Sequence, residues 1–409
     1  MALIVQKYGG TSVADIERIK IVASLVKREV DAGNQVAVVL SAMSGVTNRL
    51  VKYCNDITPF YDNREYDTVV STGEQVTIGL LAITLQSMGI KARSYAGWQV
   101  PIITDNAFGK ARIKEIKPEN LLKSLADGEV PVIAGFQGIE SESNRISTLG
   151  RGGSDTSAVA VAAAIKADRC DIFTDVEGVY TTDPRIVKAA KKLEKVTFEE
   201  MLEMASLGAK VLQTRSVELA MKYRVNLRVL SSFVDAPGTL ICSEDEIVEK
   251  EVISGVTYNK DEAKFTLANI NDVPGTSAAV FEVMAKEGIN IDMIIQSGST
   301  GAKTNMTFTV PDTEFEKAKK AIETNKEILK YESFVFDRKV VKVSIVGIGM
   351  RSHSGVAEIM FKTLAEKNIN VMAISTSEIK ISVLIADEYT ELALRALHTA
   401  FGLDEESAD

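Results

Sequence analysis

Residues 3–12 read Leu-Ile-Val-Gln-Lys-Tyr-Gly-Gly-Thr-Ser, a short apolar strand that runs into a turn with two glycines. Residues 15–29 then have the periodicity of an amphipathic helix, and residues 36–40 are an apolar, β-branched run typical of a buried strand. This order of strand, turn, helix and buried strand predicts the beginning of a parallel sheet that is covered by helices.

The same alternation continues to about residue 240. The predicted helices are 71–88, 156–165, 199–205 and 211–222, and the predicted strands are 130–136, 169–174 and 227–230. We therefore expect an α/β domain over residues 1–240, in which a mainly parallel sheet is sandwiched by helices.

A turn cluster at 235–239 and an acidic stretch at 243–251 predict a domain boundary, and we expect a linker over 241–251. The remaining chain contains an internal repeat with an offset of 80 residues. The offset aligns Gly275 with Gly355 and Asn290 with Asn370. Each copy reads as strand, glycine turn, amphipathic helix and two strands. The predicted elements are 263–268, 278–286, 289–296 and 303–310 in the first copy, and 341–346, 356–366, 371–375 and 380–385 in the second. We expect two ferredoxin-like βαββαβ modules over 252–335 and 336–409.

The charge balance excludes one class of partner. Lysine and arginine number 47 against 56 aspartates and glutamates, a formal net charge of −9, so non-specific binding of nucleic acid is not expected. The three cysteines lie far apart, the N-terminus lacks the features of a signal peptide, and we expect no apolar run long enough to span a membrane. These observations predict a cytoplasmic protein with no membrane partner.

Lys7, Gly9 and Gly10 follow the first strand and precede a helix. Glycines allow the backbone to approach an anion closely, and the next helix N-terminus contributes a positive dipole end. The alternative is a tight turn with a surface lysine.

The most informative segment is Leu149-Gly150-Arg151-Gly152-Gly153-Ser154-Asp155-Thr156, which comes just before an alanine-rich helix. Arg151 has the fork of donors that clamps a carboxylate with two hydrogen bonds. Asp155 is either a functional carboxylate or only the N-cap of the helix.

Two further loops follow predicted strands. Residues 41–47 are small and hydroxylic, which suits a ligand site, although capping of a helix by Ser44 or Thr47 is the alternative. Residues 174–185 suit a nucleotide loop or a plain surface loop. Residues 347–352 begin like a dinucleotide fingerprint but lack its third glycine, and we interpret them as a module turn.

The chain has two histidines, His353 and His398, and both lie in the repeat region. Chemistry in the N-terminal domain must therefore use lysine, arginine, carboxylates, hydroxyls and backbone amides, and we expect no protein-built metal cage. Phosphoryl transfer fits this inventory because it depends mainly on positioning and on neutralising charge.

These motifs, together with Thr72-Gly73-Glu74 and residues 174–185, stand in the order found in the aspartate kinases, which the whole chain resembles. The resemblance implies the amino-acid-kinase fold followed by tandem ACT domains, which are small amino-acid sensors. It implies transfer of phosphate from ATP, with Mg²⁺, to L-aspartate. That reaction is the first step toward lysine, threonine and methionine, with feedback inhibition by lysine and/or threonine.

The resemblance also implies roles for individual residues. Lys7 and Asp155 would be catalytic. ATP would be bound by Lys7, Tyr8, Gly9, Gly10, Ser41, Thr174, Asp175, Tyr180, Arg185 and Lys210. Aspartate would be bound by Thr47, Glu74, Arg151, Gly152, Gly153 and Ser154, with Arg151 on its α-carboxylate and Glu74 facing its amino group.

Paired ACT modules bind effectors at interfaces through backbone and short polar groups. One such site would comprise Asp272, Gly275, Asn290, Ile291, Asp292 and Gln296, with Asn370, Thr376, Ser377, Glu378 and Ser382 as further candidates. The alternative is a sheet edge that forms a dimer without a ligand. The resemblance also places the strand near 252–258 in the second module.

Exposed sheet edges of ACT modules usually pair. We therefore expect at least a homodimer, or a heterotetramer with a regulatory chain that starts internally. Two competing functions stay open, namely another amino-acid kinase, such as an acetylglutamate kinase, and a catalytically inactive sensor. The chemistry favours a carboxylate acceptor, since a group with a pKa of about 3.9 is already ionised and needs no general base.

Overall fold

The structure is a computed structural model, and it describes residues 1–207, 211–247, 252–297 and 302–404. Within these ranges the chain forms two compact units, which we describe separately. The first unit contains Met1–Val179, Lys192–Ser206 and residues 211–247, and the second contains Tyr180–Lys191 and the described residues from 252 onward. Part of the predicted linker, 248–251, lies outside the described residues.

The first unit is an α/β domain. Its strands are β1 (Leu3–Tyr8), β2 (Gln35–Leu40), β3 (Ala92–Tyr95), β4 (Ile102–Thr104), β5 (Ile113–Ile116), β6 (Val130–Ala134), β7 (Gln137–Glu140), β8 (Ile146–Thr148), β9 (Arg169–Thr174), β10 (Lys195–Thr197), β11 (Leu227–Ser231) and β12 (Thr239–Cys242). Its helices are α1 (Ile16–Asp31), α2 (Val46–Ile57), α3 (Asn63–Val70), α4 (Thr72–Ser87), α5 (Glu119–Ala126), α6 (Gly153–Ile165), α7 (Phe198–Ser206) and α8 (Thr214–Tyr223).

The main sheet has the strand order β10-β12-β11-β9-β1-β2-β6-β3, and its pairs are parallel except that β12 runs antiparallel to β11. The predicted fold class is therefore confirmed. A smaller sheet with the order β5-β4-β7-β8 was not predicted, because its strands are short and mostly polar. The loops that follow β1, β2, β6 and β9 leave the same edge of the main sheet, where parallel α/β sheets bind ligands.

Alternation along β1 separates two neighbouring side chains. Tyr8 is fully buried among residues of α1, α4 and the sheet, such as Val22 and Leu81, and it stacks on Phe173 with ring centroids 4.6 Å apart. Lys7 points to the opposite face, because successive residues of a strand face opposite sides of the sheet. Helix α6 packs against β1 on that face.

The stretch Asn63–Ser87 is long and apolar enough to cross a membrane by length and composition, contrary to the sequence-based expectation. Half of its most apolar window is buried inside the unit, and Leu81 and Leu85 belong to the main core cluster. A core helix of a folded domain meets the same criteria, and we interpret α4 as such a helix.

The second unit consists of two α+β modules. Its strands are β13 (Gly255–Asn259), β14 (Ala263–Asn271), β15 (Ile294–Gln296), β16 (Lys303–Val310), β17 (Ser333–Asp337), β18 (Val340–Val346), β19 (Ala373–Thr376) and β20 (Lys380–Ala386). Its helices are α9 (Thr276–Lys286), α10 (Phe315–Thr324), α11 (Lys326–Leu329), α12 (Val356–Glu366) and α13 (Thr390–Ala400).

Each module has one antiparallel sheet covered by helices. The sheet orders are β15-β16-β14-β17 and β13-β18-β20-β19. Strand β13 pairs antiparallel with β18, from Gly255 opposite Val346 to Asn259 opposite Lys342. The first module, from β14 to β17, is therefore inserted into the chain between two neighbouring strands of the second module.

A buried lysine joins the two modules. Lys342, on β18, is 4% exposed, and its ammonium lies 2.9 Å from Glu262 Oε1, while Glu262 is itself only 3% exposed. Lys342 also forms an ion pair with Asp292, which precedes β15. A buried lysine with two carboxylate partners satisfies the rule that buried charges are paired.

Candidate active site

Lys7 and Asp155 meet on one face of the main sheet. The Lys7 ammonium nitrogen lies 2.6 Å from Asp155 Oδ1, and both residues are 8% exposed. The distance is that of an ion pair, but the oxygen has no properly aligned hydrogen bond from any described residue. Asp155 is in the first turn of α6, whose N-cap is Gly152, so the alternative that Asp155 merely caps this helix is wrong.

The glycines bring three strand ends together. A Cβ on Gly9 would lie 3.4 Å from Lys7 Nζ, and one on Gly10 would lie 3.0 Å from the Ala42 carbonyl oxygen. A Cβ on Gly135, after β6, would lie only 2.9 Å from Ser154 Cβ. The loops after β1, β2 and β6 and the first turn of α6 are therefore in close contact. A Cβ at Gly135 would force a neighbouring residue to move, and a Cβ at Gly10 would fit only tightly.

The N-terminus of α6 points its dipole at this cluster. Gly152 has a φ of 69°, in the left-handed region, and in the described structure no side chain caps the helix. The first i→i−4 bond runs from Thr156 N–H to the Gly152 carbonyl at 3.1 Å. Uncapped N–H groups beside Lys7 make a site for an anion such as a phosphate.

Glu74, on α4, supplies a second buried carboxylate. It is 3% exposed, and its Oε1 accepts a hydrogen bond from Ala42 N–H at 3.0 Å. Its Oε2 is buried without a hydrogen-bond partner among the described residues. Burial raises the pKa of Glu74 to about 7, and the bond from Ala42 opposes the shift. The unpartnered oxygen can accept a hydrogen bond from a cationic or N–H donor.

Ser41 and Thr47 flank the start of α2. The Ser41 N–H donates to the Tyr8 carbonyl at 3.1 Å, and the Ser41 carbonyl accepts from Thr77 Oγ1 at 2.9 Å. The cap position of α2 is Gly45, in the left-handed region, so the alternative that Ser44 or Thr47 caps this helix is wrong. Thr47 is half-buried in the first turn.

The side chain of Tyr8 does not reach this face. Its hydroxyl donates to Gln6 Oε1 at 3.2 Å in the core, and burial raises its pKa well above the ordinary value. With its carbonyl also bonded to Ser41, Tyr8 lines the site only as a backbone neighbour of Lys7 and Gly9, whereas the sequence-based expectation gave it a direct part in ATP binding.

The remaining predicted residues lie at the start of α6, at the end of β9, or away from these two places. Arg151 is exposed, and Gly153 and Ser154 are buried at the start of α6. Thr174 ends β9 and donates from its hydroxyl to Asp175 Oδ1 at 3.1 Å. Tyr180 and Arg185 belong to the second unit, and Lys210 lies outside the described residues.

Several contacts in the site carried no sequence signal. Gln213 packs so closely on Gly152 that a Cβ on Gly152 would lie 1.9 Å from Gln213 Cγ. A Cβ on Gly73 would lie 2.7 Å from Ala42 Cβ, which is less severe but still too close. Ser12 and Ser232 share a buried hydroxyl–hydroxyl bond of 2.8 Å at the ends of β1 and β11. Each of these contacts depends on residues far apart in sequence, so no local motif marks them.

In the part of the chain that the structure describes, no group of three or more His, Cys, Asp or Glu side chains could hold a metal ion. A single carboxylate oxygen, Asp155 Oδ1, is nonetheless buried beside the anion cradle without an aligned hydrogen bond. Magnesium is commonly held by one or two carboxylates together with substrate phosphates. The residues present therefore fit a Mg²⁺ ion that arrives with a nucleotide.

Part of the predicted effector site comes together in the first module. Gln296 donates to Asp272 Oδ1 at 3.4 Å, and Ser277, which sequence analysis missed, donates to Gln296 Oε1 at 3.3 Å. Gly275 is left-handed at the start of α9. Asp292 instead pairs with Lys342, and Asn290 and Ile291 directly precede it.

In the second module, Thr376, Ser377 and Glu378 line a cavity of about 540 Å³. Arg351 and His353 line the same cavity. The further candidate Ser382 is 2% exposed, and its hydroxyl bonds to that of Ser344 at 2.7 Å, so it does not face this cavity. Asn370 is exposed and is not part of the cavity lining.

Models of two protein families match this chain. The model of the amino acid kinase family matches residues 2–231, and that of the ACT domain matches residues 268–325 and 343–401. Aspartate kinase of Pseudomonas putida is 55% identical over 405 residues, which make up 99% of this chain and 98% of the relative.

Two solved structures of E. coli aspartokinase III are similar over nearly the whole chain. One is the complex with aspartate and ADP in the R-state, with a TM-score of 0.81, 26% identity, and coverage of 97% of this chain and 99% of that one. The other is the complex with lysine and aspartate in the T-state, with a TM-score of 0.77, 27% identity, and coverage of 98% and 99%.

Proposed function

The chain belongs to the amino acid kinase family, within which it is an aspartate kinase with ACT domains, and from this premise we propose its reaction and the role of each residue. The proposed reaction transfers the γ-phosphoryl group of ATP to the side-chain carboxylate of L-aspartate. A P–O bond to that carboxylate forms, the bond to the β-phosphate breaks, and the products are ADP and 4-phospho-L-aspartate.

The single observation that supports this most is the buried pair of Lys7 and Asp155 at the uncapped N-terminus of α6. The two reactants are anions, so bringing them into line requires fixed positive charge more than a base. Lys7, the amides of Gly9 and Gly10, and the helix dipole supply it. Asp155 holds the lysine in place and would bind the Mg²⁺ that neutralises the phosphates.

Glu74 is proposed to bind the ammonium of aspartate through its unpartnered Oε2. The ammonium would then stabilise the ionised carboxylate that burial disfavours. Arg151, exposed at the mouth of the α6 turn, would clamp the α-carboxylate, and Ser154 and Thr47 would line the reacting end. Thr174 and Asp175, at the end of β9, would contact the nucleotide together with Tyr180, Arg185 and Lys210.

The ACT modules are proposed to bind an end product of the pathway and to inhibit the enzyme. The complex of E. coli aspartokinase III with lysine and aspartate supports lysine as one inhibitor. Threonine is proposed alongside it, and Asp272, Gly275 and Gln296 are proposed as effector contacts. We further propose a cytoplasmic enzyme in the biosynthesis of lysine, threonine and methionine that forms at least a dimer, or a heterotetramer with a separate regulatory chain.

The test is ATP-dependent formation of aspartyl hydroxamate by the full chain, with glutamate, acetylglutamate and no substrate as comparisons. Aspartate-dependent product together with Mg²⁺ dependence is expected. Product with acetylglutamate but not with aspartate would replace this proposal with the other kinase, and no product with any substrate would favour an inactive sensor. Titration with lysine and threonine, separately and together, then tests the proposed inhibition.

A further inference from the structure

The segment Tyr180–Lys191 belongs to the second unit, although it directly continues the loop 174–179 that the proposed function assigns to the nucleotide. Val187 is 6% exposed and forms part of the core of the second ACT module, together with Met360 and Leu397. Ile186 and Ala190 pack against the same core. This segment is therefore built into the regulatory module.

Hydrogen bonds fix the segment at both of its ends and in the middle. The Thr181 carbonyl accepts from Val256 N–H at 2.7 Å, which continues the edge of β13. Asp183 Oδ2 accepts from the Tyr258 hydroxyl at 3.2 Å, and the Ile186 carbonyl accepts from Arg395 Nε on α13 at 3.1 Å. Lys191 N–H donates to Thr181 Oγ1 at 3.0 Å and closes the segment on itself.

The most buried of these contacts joins Thr181 to a histidine. His398 is fully buried near the end of α13, Thr181 is 3% exposed, and His398 Nε2 lies 2.9 Å from Thr181 Oγ1. The other ring nitrogen, Nδ1, has no partner among the described residues. A buried imidazole with one unbonded nitrogen costs free energy, whereas an apolar side chain of similar size would fill the same space without that cost. Packing alone therefore does not account for the histidine.

We propose that His398 is a positioning residue for the kinase reaction, which acts through Thr181 to hold Tyr180, a residue of the same unit. The proposal rests on the proposed function, in that Tyr180 binds ATP. A hydrogen bond to the residue next to Tyr180 limits the conformations of this loop before ATP arrives. Pre-ordering of a loop improves affinity because less entropy is lost on binding.

The proposal predicts a selective effect on the nucleotide. In the full chain, His398→Leu removes the hydrogen bond to Thr181 and nearly keeps the volume. Thr181→Val also nearly keeps the volume, but it removes the acceptor of Lys191 N–H together with the bond to His398. Each is expected to raise the KM and the Kd for ATP about 3- to 10-fold, the usual worth of one net hydrogen bond, while the KM for aspartate changes by less than about twofold. The double variant is expected to be no worse than Thr181→Val alone, because that change already removes the bond to His398.

Two variants separate positioning from structural support. His398→Gln keeps a polar atom near the place of Nε2, and it is expected to recover most of the ATP affinity lost in His398→Leu. Thr363→Val is the matched control in the same module, because the Thr363 hydroxyl donates to the Ile359 carbonyl of its own helix at 2.7 Å, and it is expected to leave both KM values unchanged. Thermal unfolding of each variant shows whether the module is folded.

The outcomes are distinct. An unchanged ATP affinity in both His398→Leu and Thr181→Val would overturn the proposal, as would an equal loss of ATP and aspartate affinity that follows a lower Tm. Calorimetry measures the Kd for ATP without turnover, so it tests the role of His398 independently of the proposed phosphorylation of aspartate. Wild-type protein that binds ATP but does not phosphorylate aspartate would overturn the proposed function instead.

Discussion

Glu74 is a buried carboxyl group whose ionisation lowers the stability of the ligand-free protein. Its carboxyl group is buried, one oxygen has no hydrogen-bond partner in the described structure, and its pKa is about 7 in the folded protein against an ordinary value of 4.5. A folded state that binds a proton more tightly than the unfolded chain loses stability as pH rises between those two values. The loss is complete above pH 7 and absent below the unfolded pKa.

Glu74→Gln should therefore stabilise the ligand-free protein at pH 8, by about 1–3 kcal/mol, because the amide carries no charge into the buried site. The gain should shrink as pH falls and disappear near pH 4.5. Urea unfolding at pH 8, 6.5 and 5 measures this directly. A variant that is less stable than wild type at pH 8 would show that Glu74 is held by an unseen favourable contact.

The same group predicts a pH-dependent affinity for aspartate. As pH falls below about 7, Glu74 takes up a proton in the free enzyme and no longer attracts an ammonium, so the KM for aspartate should rise. The KM for ATP should follow a different profile. Glu74→Gln should have a higher KM for aspartate at pH 8 and a flatter pH dependence between pH 6 and 8. An unchanged profile in the variant would exclude Glu74 as the source.

Lys7 is the residue on which the proposed chemistry depends most. Lys7→Met keeps the length of the side chain and removes its charge, and we expect kcat to fall at least about 100-fold, the usual scale for losing one electrostatic donor. Lys20→Met, at an exposed ion pair on α1, is the matched control and should keep full activity. Circular dichroism checks that both variants fold.

Sequence analysis named Lys7 and Asp155 as catalytic through the resemblance to the aspartate kinases, and the structure brings the two side chains together. It missed the contact of Gln213 with Gly152, and it named Tyr8 among the ATP-binding residues although the Tyr8 side chain is buried in the core. The first depends on packing between segments 60 residues apart in the chain. The second could have been avoided, since alternation along β1 already separates Tyr8 from Lys7.

At the scale of elements, the start of α6 is set by backbone conformation. Gly152 is left-handed with a φ of 69°, and a Cβ there would overlap Gln213, whereas Gly45, with a φ of 76° at the start of α2, faces open space. The two glycines thus share the same backbone requirement and differ only in the room around them. Substituting each glycine by alanine therefore separates the cost of backbone strain from the cost of steric overlap.

Gly45→Ala should cost about 1 kcal/mol in free energy of unfolding, the strain of a left-handed alanine. Gly152→Ala should cost about 2–4 kcal/mol, because steric overlap adds to that strain, and should also lower activity by shifting the first turn of α6. Gln213→Ala in the same chain should recover part of the loss. Equal costs for the two alanines would mean that Gln213 moves aside freely.

In the second unit, the buried ion pair of Lys342 gives a prediction about stability. Removing one partner of a buried ion pair leaves an uncompensated charge, and Lys342→Met should lower the free energy of unfolding by about 3–5 kcal/mol. Adding Glu262→Gln to Lys342→Met should recover much of this loss, because the remaining partner, Asp292, is 45% exposed and its carboxylate can be solvated. A double variant as unstable as the single one would point to packing of the lysine stem as the main contribution.

Long periodic elements were predicted well, and short ones were not. Strands β9 and β16 and helix α12 have the predicted bounds, because each combines a strong pattern with clear turn residues. Helices α2 and α3 and the small sheet were missed, since their residues are mixed in polarity. The predicted strand 289–296 begins only at Ile294, and the predicted helix 211–222 begins only at Thr214.

At the scale of the whole molecule, the order of the chain differs from the order of the modules. The offset repeat was visible in the sequence, because two similar modules conserve glycine turns and helix positions in the same order. The sequence did not reveal that Tyr180–Lys191 belongs to the second unit, because that segment has no repeat partner and has the composition of an ordinary loop.

The pairing of β13 with β18 predicts that the first module can be removed. Replacing residues 261–340 with Asn-Gly would join the two antiparallel strands by a tight two-residue turn. The remaining protein should fold and keep its KM for ATP, since Tyr180–Lys191 packs on the second module. Leu384→Thr should be included, because Leu384 belongs to the small apolar cluster shared with Met293 of the first module. Lys342→Thr should be included as well, because the deletion removes Glu262 and Asp292, the two carboxylate partners of Lys342. Thermal unfolding and ATP kinetics provide the readout, and an aggregated product would contradict the prediction.

The place of the first module in the chain has one more consequence. The module begins and ends between β13 and β18, where an ordinary hairpin would need only two residues, so an ACT module of about 80 residues occupies the position of a loop. Genetic exchange at that position would add, delete or replace a whole module in one event, while the second module kept every strand in register. New regulation could then be acquired without any change to the phosphate-handling part of the enzyme.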